Sequence, residues 1–173
     1  MAFQPNDRVV HPTHGLGRVE EIVNKTFPGG EARLYYEVAF RESTVWVPVQ
    51  ERLDGGGLRE ITPRAQLDHY RDLLRQAPVP VNPDARQRRA DINGLLKLGS
   101  FQVMCEVVRD LTAFGWVRPL KEVDAAMLRR AREGLTQEWA AVDGITLEQA
   151  TQEIDALLRE ARQAGEAAAH AER

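Results

Sequence analysis

Apolar positions along this chain change their spacing once, near Ile61-Thr62-Pro63. Before that point they fall in short segments bounded by Gly or Pro; after it they recur every three or four residues. The first arrangement predicts strands and the second predicts amphipathic helices. Residues 7–10 read as a first strand, Gly15-Leu16-Gly17 as a turn, and residues 18–24 as a second strand with Val19 and either Ile22 or Val23 inward. Phe27-Pro28-Gly29-Gly30 is the next turn, and Leu34, Tyr36, Val38 and Phe40 then share one face of a third strand. Residues 44–49 form a fourth strand, where Pro48 marks an edge or an end, and residues 58–61 form a fifth after Gly55-Gly56-Gly57. Short strands with one apolar face predict a strongly bent, Tudor- or SH3-like barrel of about sixty residues. A barrel so small is filled by its own side chains, which leaves little room for an active-site cavity and points to a docking module.

The second part reads as helices throughout. Thr62-Pro63 is a cap followed by Pro at the first helical position, and Leu67, Tyr70, Leu73 and Leu74 make one stripe that Pro78-Val79-Pro80 ends. Asn82-Pro83 repeats the start signal, with Ile92, Leu95 and Leu96 inward and Gly99 as the stop. Ser100 opens a third helix, with Phe101, Met104, Val107, Val108 and Leu111 inward and Gly115 as its stop. A fourth spans residues 121–142 with Val123, Met127, Ala131, Leu135 and Trp139 inward. Thr146-Leu147-Glu148-Gln149 is a capping box that starts a fifth, carrying Ile154, Leu157, Leu158 and Ala161. The Ala/Glu-rich tail beyond Gly165 is expected to fray. The expected class is therefore α+β in two domains: a β-barrel over 1–62, an all-α bundle of about five helices over 63–165, and a frayed tail over 166–173.

Composition narrows the function. The 173 residues carry 43% hydrophobic and 28% charged side chains, ordinary for a soluble globular protein. No apolar run approaches the ~18–20 residues of a membrane helix. No secretory signal is expected at the N-terminus, and a single cysteine, Cys105, fits a reducing cytoplasm. A net charge of −3 argues against a dedicated high-affinity DNA binder, though it permits a local basic patch.

Few residues carry chemistry. His11 and His14 stand three apart beside Asp7, but a metal would need a third ligand, and turn histidines are the simpler account. Gly15-x-Gly17 lacks the third glycine, lysine and helix of a phosphate loop. No Gly-x-Ser-x-Gly elbow exists, and the carboxylates are expected on solvated helix faces, so no enzyme is expected. Arg86-x-Arg88-Arg89, near Arg71, Arg75 and Lys97, is the densest basic stretch. It reads either as a solvated face or as a phosphate contact aided by Asn82 and the helix N-terminus. Trp46 lies between Val45 and Val47; if those valines point inward, Trp46 is an exposed aromatic anchor.

Three runs carry a resemblance: Val10-His11-Pro12-x-His14-Gly15-x-Gly17-x-Val19, Thr44-Val45-Trp46-Val47-Pro48, and Glu106-Val107-Val108-Arg109-Asp110-Leu111. Together they resemble the CarD/CdnL family of bacterial transcription regulators over roughly residues 3–160. The first two also resemble the polymerase-interacting module of the transcription-repair coupling factor. The resemblance implies a non-enzymatic, cofactor-free regulator. Its barrel would dock on the RNA polymerase β subunit, and its helical domain would stabilise the open promoter complex at the upstream edge of the bubble. Lys25 and Trp46 fall at the β-contact positions, and Arg86, Arg88 and Arg89 in the DNA-facing segment. Family members place a wedge tryptophan just before that segment; here Val81-Asn82-Pro83-Asp84-Ala85 has none, and Pro83 or Ala85 takes its place. The alternative is thus a polymerase-binding adaptor without significant DNA contact. DNA contact is expected to be weak, non-specific and polymerase-dependent. The chain is expected in the cytoplasm, at the nucleoid through polymerase, with no membrane contact. A monomer is expected, with a strand-swapped dimer as the other form.

Overall fold

The computed structural model describes residues 3–49 and 57–171. Two compact units divide the chain: one runs to Ile61 and takes in Lys97–Gly99, and the other holds Thr62–Leu96 and Ser100 onward.

The first unit is a five-stranded antiparallel sheet: β1 (Arg8–His11), β2 (Gly15–Lys25), β3 (Arg33–Phe40), β4 (Thr44–Pro48) and β5 (Arg59–Glu60). The strand order is β4-β3-β2-β1-β5. The turn expected at residues 15–17 lies instead at residues 12–14, and Gly15 already pairs with His11. Gly15 ends that turn at φ +75°, which suits a residue without Cβ. Gly17 sits inside β2, where a Cβ would lie 2.7 Å from the Phe40 ring; its missing side chain makes room for that ring. Register shifts between Val19 and Glu21, a bulge that resets the alternation. Val19 pairs with Val38 on the core side, whereas Val23 pairs with Tyr35 on the outer side. The bulge is why a strict two-residue period could not choose between Ile22 and Val23. Val9, Val19, Tyr36, Val38 and Val47 form the core of this unit. Leu34 keeps the predicted phase but is exposed, because this end of β3 runs beyond the core. The Gly55–Gly57 turn lies mostly outside the described residues.

The second unit contains α1 (Leu67–Arg75), α2 (Ala85–Leu98), α3 (Phe101–Val117), α4 (Glu122–Asp143) and α5 (Leu147–Ala171). The predicted stripe of α1 is buried, as are Ile154, Leu157, Leu158 and Ala161 of α5. Ala161 aside, they pack around Phe101, Val107, Val108, Leu111, Leu135 and Trp139 in one cluster. Ser100 Oγ caps α3 by accepting from Val103 N–H at 3.1 Å. Thr146 and Gln149 exchange hydrogen bonds of 2.9 and 3.1 Å, the reciprocal pair of a capping box.

Several boundaries differ from expectation. Thr62 does not cap a helix: its N–H and hydroxyl both donate to the buried Glu138 carboxylate, at 3.0 and 2.8 Å. Pro63 stays extended, and a 3-10 turn over Arg64–Gln66 precedes α1. Asp84, not Asn82, caps α2, since its Oδ1 accepts from Gln87 N–H at 2.8 Å. Gly115 does not stop α3, which runs to Val117. Val123, expected inward, is exposed, and Asp124 beside it is buried instead. The segment beyond Gly165 continues as helix to Ala171 with an exposed surface. Among the described residues no helix is long and apolar enough to cross a membrane.

Candidate interaction surfaces

Alternation puts Val45 and Val47 toward the core of the sheet and leaves Trp46 on the outer face, 41% exposed. Trp46 pairs with Glu37, and Pro48 with Tyr35, so the outer phase of β3 and β4 is continuous. After the bulge, β2 contributes Val23 and Lys25 to the same phase. The Lys25 ammonium lies 3.2 Å from the centre of the Trp46 ring. Two residues singled out separately along the chain therefore form one cation–π pair. At a solvent-facing position such a pair contributes about 0.5–1 kcal/mol and holds the indole in place. Phe27, 45% exposed, meets Tyr35 edge-on at 5.3 Å and extends the aromatic surface. Phe27 and Tyr35 were missed as surface aromatics; their signal was an aromatic next to a Pro-Gly turn and another in the outward phase of β3.

His11 and His14 do not assemble a metal site. His11 Nδ1 accepts from the Thr13 and His14 backbone N–H groups at 3.0 and 3.3 Å, closing the turn. Both rings pack against Phe40. Among the described residues, no cluster of His, Cys, Asp and Glu is arranged to hold a metal ion.

The basic stretch of α2 separates into three different environments. Arg86 is exposed. Arg88 is 4% exposed and does not face solvent. Its Nη2 donates to Asp124 at 2.8 Å, and its Nη1 donates to the carbonyls of Asn82 and Pro83 at 2.9 and 3.1 Å. Its guanidinium also lies 4.4 Å from the Phe114 ring centre. Arg89 is half-buried and donates to the other Asp124 oxygen at 3.1 Å. A group so enclosed has no free donor fork to offer a phosphate, so Arg88 is a scaffold residue that fixes the loop before α2. Burial would push the Asp124 carboxyl up, but hydrogen bonds and charge from Arg88 and Arg89 outweigh it and hold the group below the ordinary carboxylate value. The expectation that carboxylates sit on solvated faces fails at Asp124 and at Glu138, both fully buried. Each neutralises or satisfies a buried partner, which periodicity does not register.

Pro83 is exposed and Ala85 half-buried at the rim of this loop. Lys121, the N-cap residue of α4, and Arg118 are exposed within one loop of Asp124. Sequence reasoning overlooked both; the signal was two cations flanking Pro119-Leu120 between helices. Arg71 and Arg75 are instead bound to carboxylates: Arg71 to Asp68, Asp143 and Glu153, and Arg75 to Asp72 and Glu160. In the Val107–Leu111 run, Arg109 is buried; it forks onto Asp110 and donates to the Leu73 carbonyl at the end of α1. Burial pushes the Cys105 thiol well above its ordinary value, which leaves it unreactive.

Comparison with known proteins covers both units. The family model described as "CarD-like/TRCF RID domain" matches residues 3–61, and "CarD, C-terminal domain" matches residues 70–155. A Bacillus subtilis (strain 168) protein named "Putative transcription factor YdeB" is 31% identical over 149 residues, which span 85% of this chain and 96% of that protein.

Proposed function

This chain belongs to the CarD family, and from that membership we propose that it regulates transcription, without catalysis, by docking on the β subunit of RNA polymerase. The Lys25–Trp46 pair is the observation that carries the docking assignment: it presents an oriented aromatic and a cation on the outer face of the sheet. Aromatic anchors of this kind supply much of the energy at protein interfaces. The unit of residues 1–62 is the docking module in this reading, and the helical unit of residues 63–165 is the part turned toward DNA. Binding of the full chain to the isolated β lobe tests the assignment. Lys25→Glu and Trp46→Ala are each expected to weaken it; unchanged affinity for both, with the fold intact, would overturn it.

At the helical unit, Arg86, Arg89 and the loop around Pro83 form the surface proposed to meet promoter DNA at the upstream edge of the bubble. Arg88 supports this surface from beneath. Few phosphate contacts are available, so affinity for DNA is weak, salt-dependent and dependent on polymerase. The stabilised open complex is the expected outcome, with the protein acting as a monomer. A second reading, an adaptor without significant DNA contact, draws on one observation: Asp84 places its carboxylate at the N-terminus of α2, and Asp124 engages Arg88 and Arg89. The lifetime of open complexes on a promoter separates the two. An extension that Arg86→Ala shortens supports DNA contact; no extension, with polymerase still bound, supports the adaptor.

A further inference from the structure

We propose that the connection between α3 and α4 is a second DNA contact, with Arg118 and Lys121 on phosphates and Val117 against the sugars and base edges of the minor groove. The inference rests on the reading that the helical unit meets DNA, and it adds a surface that the basic stretch of α2 does not supply. Three helix ends meet at this place. Arg88 and Arg89 in the first turns of α2 both reach Asp124 in the first turn of α4, and Arg88 lies over Phe114 in the last turn of α3. Val117, Arg118, Lys121 and Arg86 each stand no more than four residues from one of these contact residues. The connection itself is short and held. Arg118 N–H donates to the Phe114 carbonyl at 3.1 Å, and Pro119 fixes one backbone angle. Leu120 folds back onto α3, where a Cβ on Gly115 would lie 3.3 Å from it. Gly115 therefore seats the connection rather than ending the helix.

The side chains left outside are of two kinds. Val117 is 82% exposed and Val123 51%, which puts aliphatic surface at both ends of the connection. Arg118, Lys121 and Arg86 are exposed and have no carboxylate partner among the described residues. Arg71, Arg75 and Arg162 of the same unit are all paired with acids. Glu122 is the exposed acid beside Lys121, while Asp84 is occupied in capping α2. Arg88 and Arg89 share the single carboxylate of Asp124, so positive charge is in excess at the buried centre as well. A chain of net charge −3 thus gathers uncommitted cations at one end of its helical unit. Cations beside exposed aliphatic side chains match the minor groove, where two rows of phosphates flank sugars and base edges. Phosphates take the charges, and an apolar side chain in that groove can press against a base step. The family's place in transcription makes DNA, rather than an anionic lipid surface, the occupant.

Anisotropy titrations of the full chain on a forked DNA duplex test the contact, run from low salt upward so that weak binding is measurable. Replacing Arg118 and Lys121 together with Ala is expected to lower the slope of log affinity against log salt by about 1.8. Val117→Ser is expected to weaken binding about fivefold at every salt concentration with the slope intact, because an aliphatic contact releases no counterion. Neither change should move Tm, since all three side chains are exposed. An unaltered slope in the Arg118→Ala, Lys121→Ala double variant, where Arg86→Ala still lowers it, would overturn the second contact and leave the DNA-facing reading standing. No change from any of these variants, Arg86→Ala included, or no binding at the lowest salt, would overturn that reading as well. Unchanged affinity in Val117→Ser would overturn the minor-groove contact. Tighter binding to phosphatidylglycerol vesicles than to the fork would overturn DNA as the occupant.

Discussion

Lys25 and Arg88 are both cations resting on an aromatic ring, yet they do opposite work. Lys25 lies over Trp46 at 3.2 Å on an outer sheet face, and Trp46 stays 41% exposed. Arg88 lies over Phe114 at 4.4 Å, buried, with its Nη2 donating to Asp124. At the surface, water solvates the ammonium, the pair contributes little to folding, and the indole remains available to a partner. Inside, the charge must be matched, so both terminal nitrogens of the guanidinium are spent on the fold, although its buried Nε has no partner. The two regions teach that a basic residue marks a contact surface only where the fold does not enclose it.

The difference is largest in stability. Arg88→Met leaves the Asp124 carboxylate buried and half-paired, and is expected to destabilise the protein by about 3–5 kcal/mol in urea melts. Adding Asp124→Leu removes the stranded charge and should recover a large part of that loss. A double variant no better than the single one would mean that Arg88 acts through Phe114 and the Asn82 and Pro83 carbonyls rather than through the ion pair. Trp46→Ala is the matching experiment on the sheet. It should cost folding only about 1 kcal/mol while costing about 2 kcal/mol of binding to the β lobe. A stability loss as great as that of Arg88→Met would erase the contrast.

Acid should also affect the two regions unequally. The folded Asp124 carboxyl is held below its ordinary value, so its contribution is complete above the unfolded-state pKa of about 4. That contribution is lost as pH falls through the lower folded value. Asp124→Asn should flatten the decline in stability below about pH 4 in denaturant titrations. Lys25 pairs with an aromatic ring rather than with a carboxylate, so Lys25→Ala should leave the decline as steep as in the unaltered protein. The smallest effect belongs to Arg86→Ala: the slope of log affinity for DNA against log salt should fall by about one contact's worth, with no change in melting. An unaltered slope would remove Arg86 from the DNA surface.

Both units were legible in the sequence because burial follows period. The α1 stripe Leu67, Tyr70, Leu73 and Leu74 follows from spacing alone, and the outward placement of Trp46 follows once Val45 and Val47 are inward. So do local caps, where donor and acceptor lie three residues apart, as at Ser100 and Thr146. The β2 bulge was not legible, because one added residue shifts the phase without altering composition. Nor were the roles of Thr62 and Asp84: the Thr62 hydroxyl is claimed by Glu138, 76 residues away, which no local signal encodes.

The candidate surfaces divide along the same line. Sequence by itself determined which residues could carry charge or aromatic surface: Lys25, Trp46, Arg86, Arg88 and Arg89. Tertiary structure decided which of them do. Lys25 and Trp46 lie on different strands, and their contact exists only because β3 joins β2 to β4. Arg88 is withdrawn and Arg86 exposed because α4 brings Asp124 to one side of α2 alone. A side chain's type is a local property, whereas whether its charge meets water or a buried carboxylate depends on residues distant in sequence, and desolvation makes that choice the larger energy.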